Sequence, residues 1–78
     1  TKKRRLTFKE SSELAGLPDK IDALERDRAS IYVSLSDPEL LRDGGAVTEA
    51  RARLAGLEAE INRMTVRWEA LETISALT

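Results

Sequence analysis

Five cations, Lys2, Lys3, Arg4, Arg5 and Lys9, stand among the first nine residues with no acid between them. The chemistry open to such a run is phosphate neutralisation: each Lys or Arg that contacts a phosphate releases condensed counterions, so the affinity falls steeply with salt. The competing reading is a solvated basic linker, because the segment before Thr7 has no core-forming pattern. The other 69 residues carry eight Lys or Arg against fourteen Asp or Glu, so a segment of formal charge +5 is joined to a body of charge -6. The whole-chain pI near 5.4 counts against nucleic acid, since dedicated binders usually have basic domains. Arg63 and Arg67, one turn apart on an expected helix, can extend the basic face; the plainer reading is a solvated surface balanced by Glu60 and Glu69.

Other chemistry is scarce. With no Cys and no His, a disulfide framework, a thiolate nucleophile, a Cys/His zinc site and an imidazole base are excluded. The acids show no metal-ligand spacing and no pairing with a nucleophile, and no glycine-rich phosphate loop is present, so neither catalysis nor a cofactor is expected in these residues. Trp68, the only tryptophan, can in principle stack on a base, but its place in a heptad makes it a core plug. The apolar runs fall far short of the roughly 20 residues that span a bilayer, and no signal-peptide core follows the basic start. A soluble cytoplasmic protein without a membrane partner is expected. The start at Thr1 points to a piece of a larger protein.

The elements that must position these cations are helices. Ala, Glu, Lys, Leu and Arg supply 43 of 78 residues, the composition of long helices and coiled coils. Thr7-Phe8-Lys9-Glu10 has the form of a capping box, so a helix is expected from Phe8. Gly16 and Pro18 then read as a stop and a restart. From Leu17 the seam runs Ile21, Leu24, Arg28, Ile31 and Leu35, spaced 4 and 3 alternately, a heptad with one polar intruder. SDPELLRDGG ends it, with room for one helical turn around Glu39 to Arg42 and a reversal at Gly44-Gly45. A second seam follows through Val47, Ala50, Leu54, Leu57, Ile61, Met64, Trp68, Leu71 and Ser75. The expected fold is all-α: a basic arm over 1–6, then over 7–78 an antiparallel two-helix coiled-coil hairpin. Its helices are placed at about 8–15, 18–35 and 46–76, the first packed on the end of the last.

Two registers bring the seams face to face. In the first, Leu17 faces Ile61, Ile21 faces Leu57, Leu24 faces Leu54, Arg28 faces Ala50 and Ile31 faces Val47; in the second, every partner lies one heptad further on. The first sets Lys20 beside Glu60, Asp27 beside Arg53 and Glu25 beside Arg51, whereas the second sets like charges together. At about 0.2–1 kcal/mol for each exposed pair, the charges select the first register.

The irregular stretches carry a resemblance. RRLTFKESSELAGLPDKIDALE is similar to the opening of the C-terminal domain of Uup-type ABC-F ATPases, LSDPELLRDGG to that family's inter-helix connection, and MTVRWEALE to its closing segment, with Phe8 where Tyr is common. The resemblance implies a non-catalytic coiled-coil appendage of a protein whose two cassettes, outside this segment, bind ATP and Mg2+. It also implies affinity for nucleic acid, DNA in Uup-like members and ribosomal RNA in other ABC-F proteins, with Lys2, Lys3, Arg4, Arg5 and Lys9 matching the family's basic entry. The cassettes themselves are further expected partners, and the domain is expected to be monomeric. Nothing resembles a recognition helix, so binding without sequence specificity is expected. The competing function is a spacer or protein-interaction arm using Tyr32, Val33, Leu40, Leu41 and Val66.

Overall fold

The computed structural model describes residues 5–77. Three helices follow one another: α1 Phe8–Leu35, α2 Pro38–Leu41 and α3 Gly44–Ala76. The two long ones lie side by side as a rod with extents of 60 × 18 × 16 Å. Their direction is antiparallel, since Glu13 near the start of α1 meets Arg67 late in α3, while Tyr32 near the end of α1 meets Glu58.

Each helix start is capped by a side chain that takes up amides the first turn leaves free. The capping box forms in full: the Glu10 amide donates to the Thr7 hydroxyl and the Thr7 amide to the Glu10 carboxylate, both at 3.1 Å. Asp37 accepts from the Glu39 amide at 3.0 Å with Pro38 opening α2, and Asp43 accepts from the Ala46 amide at 3.1 Å to start α3. Gly44 and Gly45 therefore belong to the first turn of α3, and no glycine among the described residues has positive φ. The reversal is made by the short α2 and the two aspartate caps on either side of it.

The expected break near Gly16 does not occur, for α1 is continuous through Pro18. Pro18 has no N–H to return to the Leu14 carbonyl, a defect that costs about 3 kcal/mol in an ordinary helix interior. Tertiary contacts offset it. Leu17 is buried, and the turns before Pro18 are tied to α3 through Glu13 and Glu10. Phe8, which opens the segment expected to pack on the end of the last helix, is instead 90% exposed.

Both seams are where the spacing puts them: every seam position except Ser75 is buried or half-buried, with Leu17, Ile31 and Leu71 the most enclosed. The register is not the expected one. Leu17 lines a groove with Met64 and Arg67, Ile21 lines one with Thr65 and Trp68, and Ile31 lines one with Ala50 and Arg53. Together with the Tyr32–Glu58 and Glu13–Arg67 bonds, these neighbours centre on the alternative alignment, about one heptad further along α3, rather than on the expected one. The three expected cross-helix ion pairs are not formed; Glu60 turns to Arg63 on its own helix and Glu25 to Arg28 at 3.7 Å. The reason lies in the unbroken α1. In the first register a helix beginning at Phe8 would leave Leu71 opposite Thr7, uncovered, whereas the shift buries Leu71 completely. Burying one leucine contributes about 1.5–3 kcal/mol, which outweighs exposed pairs at about 0.2–1 kcal/mol each. At the closed end α2 covers the start of α3, with Leu40 sharing a groove with Ala46 and Ala50.

Candidate nucleic-acid interface

The cations gather at the open end of the hairpin. Arg5 is exposed just ahead of the Thr7 cap, and Lys9 is exposed in the first turn of α1. Lys2, Lys3 and Arg4 lie outside the described residues. One flank of the seam carries Glu13 and Lys20 on α1 and Arg63 and Arg67 on α3, and these four line an open groove of about 360 Å³ with Leu17 and Met64.

Lys20 was not among the candidates read from the sequence, because the expected register spent it on Glu60. In the observed register it joins the two arginines. The signal that finds it is the apolar cover Leu71 requires, which selects the alignment that carries Lys20 to this end. Lys9 and Lys20 meet no carboxylate at ion-pair distance among the described residues.

Arg67 does more than line the groove. Its Nε–H donates to Glu13 Oε2 at 2.7 Å and its Nη2 to Glu13 Oε1 at 3.0 Å, a two-pronged grip, while Glu10 Oε2 lies 3.9 Å from Nη2. The planar fork of a guanidinium matches a carboxylate in this way and an ammonium cannot. The hydrogen bond from Arg67 is the main cause that holds the Glu13 carboxyl below its ordinary range, with the charges of Arg67 and Lys20 acting in the same direction. Arg67 in turn is pushed up by Glu13. Arg67 thus ties the first turns of α1 to α3, and Arg63 pairs with Glu60 one turn away. Both arginines of this groove are shared with carboxylates, whereas Lys20 is not.

Trp68 is half-buried on the seam, as its heptad place requires. Among the described residues no cluster of acidic side chains has the arrangement of a metal site, and no helix is long and apolar enough to cross a membrane.

The fold is thus an all-α hairpin whose groove toward the open end mixes Lys20, Arg63 and Arg67 with Glu13. The family described as "ABC transporter C-terminal domain" matches residues 5–73, and the chain belongs to that family. The chain is similar to the "ATP-binding protein Uup-like" of Haemophilus influenzae, 33% identical over 69 residues that make up 87% of this chain and 15% of that protein. It is equally similar to the "ATP-binding protein Uup" of the same organism, with 87% of this chain and 11% of that protein covered. The chain thus spans a small part of the length of the curated relatives it matches. The Uup-type resemblance carried by the capping box, Leu17-Pro18, Asp37-Pro38 and Arg67-Trp68-Glu69 is borne out by these matches. No solved structure matches the chain.

Proposed function

We propose that this domain is a non-catalytic C-terminal arm of a cytoplasmic ABC-F ATPase, and that it binds nucleic acid, DNA first, without sequence specificity. On this reading the hairpin is a coiled coil, ATP and Mg2+ belong to the cassettes of the parent protein, and the arm acts as a monomer on those cassettes and on the polyanion. The observation that supports it is the placing of Arg5 and Lys9 at the same end of the hairpin as the groove lined by Lys20, Arg63 and Arg67, to which the sequence adds Lys2, Lys3 and Arg4. Phosphate contacts of this kind position a protein on a duplex and read no bases.

The test is fluorescence anisotropy of labelled duplex DNA, single-stranded DNA and structured RNA, titrated with the domain across a salt series. The slope of log K against log salt for duplex should be close to -0.9 for each phosphate neutralised. Changing Lys2, Lys3, Arg4 and Arg5 to Ala should remove most of the affinity and flatten that slope. Binding that ignores salt, or survives the four substitutions unchanged, would overturn the reading.

The spacer or protein-contact reading has one observation in its favour, the exposure of Val33 and Val66, at 72% and 58%, away from the seam. It is the reading to take up if no polyanion binds.

A further inference from the structure

The opposite flank of the seam has a different character. There Pro18, Ile21, Asp22 and Glu25 of α1 and Thr65 and Trp68 of α3 line a mostly apolar groove of about 300 Å³. The lining brings together a proline ring, a branched aliphatic chain and the half-buried indole of Trp68 with two carboxylates of α1, of which Glu25 is paired with Arg28 at 3.7 Å and Asp22 meets no cation at ion-pair distance among the described residues, though Arg26 shares the adjoining surface with both. The indole N–H has no hydrogen-bond partner among the described residues. On α3 the same flank continues through Glu58, Glu69 and Glu72 with no cation between them, because Arg63 and Arg67 sit on the other side.

An aromatic face beside carboxylates is matched to one kind of side chain. A Lys ammonium or Arg guanidinium is attracted to the ring of Trp within about 6 Å of its centre, and its charge is then within reach of neighbouring acids. Arg adds stacking of its own plane on the ring. The same acids repel a nucleic-acid phosphate, so the two flanks suit partners of opposite sign.

We propose that this groove is a docking site for a basic peptide segment of a protein partner, one cationic side chain lying over Trp68 between Asp22 and Glu25. The proposal is independent of the nucleic-acid reading, since it uses none of the cations that reading uses.

Trp68 is the chain's only tryptophan, so its emission reports directly on this groove. The probe is a short peptide of alternating lysine and arginine, capped at both ends, with a glutamate peptide of the same length as control. The basic peptide should change the emission saturably at low salt and the acidic one should not. The double substitution Asp22→Asn and Glu25→Gln, at two exposed positions, should weaken the apparent Kd about three- to tenfold, given the modest worth of exposed ion pairs and cation–π contacts. The matched change Glu39→Gln and Glu49→Gln, at the far end of the rod, should leave the Kd within about twofold when the comparison is made in about 0.1 M salt, where the screening length is roughly 10 Å. Circular dichroism checks that both variants stay helical. No saturable change, or equal weakening by the two pairs, would overturn the proposal. Emission that shifts with protein concentration alone would assign the groove to a second copy and overturn it as well.

Discussion

At the scale of the residue, Arg67 shows how a cation picked for ligand chemistry can be committed to the fold. Its two hydrogen bonds to Glu13 close the open end of the hairpin, and Glu10 serves there as well as in the capping box. The consequence for pH has a definite sign. Glu13 binds its proton less readily in the folded state than in the unfolded one, so its stabilising effect is present above the unfolded carboxyl pKa and fades as pH falls through the lower folded value. Thermal melts of the wild type and Glu13→Gln should therefore differ most near neutrality and converge as pH drops below the ordinary 4.5 of a glutamate. A gap that widens on acidification would show that the clamp does not depend on the Glu13 charge. That Arg67 sits near the end of the chain's last heptads is legible in the sequence. Its bond to Glu13 was not, because the pair is 54 residues apart and depends on the register.

At the scale of the element, the heptad seams were legible and the punctuation misled. Spacings of 3 and 4 report which face of a helix is apolar, and that face is the one covered. Gly16 and Pro18 are local signals that say how much a helix loses at those points, not whether packing offsets the loss. Both defects remain as reserves of stability. A Cβ added at Gly16 or at Gly56 meets nothing within 4 Å, and both glycines are helical. Gly16→Ala and Gly56→Ala should each stabilise the domain by about 0.5–1 kcal/mol. Pro18→Ala restores an amide to the ladder and should add on the order of 1–3 kcal/mol, less whatever the ring contributes beside Trp68. Urea unfolding followed by circular dichroism measures all three; destabilisation by Gly16→Ala would show that the helix is strained there in a way its backbone does not display.

At the scale of the whole molecule, the register decides which surface exists. Flanking charges favour one alignment and the cover of Leu71 favours another, and hydrophobic burial outweighs the charges. The charges report only on what lies beside the seam, whereas the cover of Leu71 depends on whether α1 is whole. With α1 unbroken, Lys20, Arg63 and Arg67 share one flank and Asp22, Glu25 and Trp68 the other. A shallow core in which, among the described residues, only Leu17, Ile31 and Leu71 are buried makes this balance sensitive: Leu71→Ala should cost about 2–5 kcal/mol, a large share of the stability of so small a domain. The measurement that bears most directly on the division into two flanks is an amide shift map, with the 1H–15N spectrum of the domain followed as short duplex DNA is added at low salt. The expected result is movement of Arg5, Lys9, Lys20, Arg63 and Arg67 while Asp22, Glu25 and Glu72 stay in place. Shifts absent altogether, or centred on Asp22, Glu25 and Glu72, would contradict it.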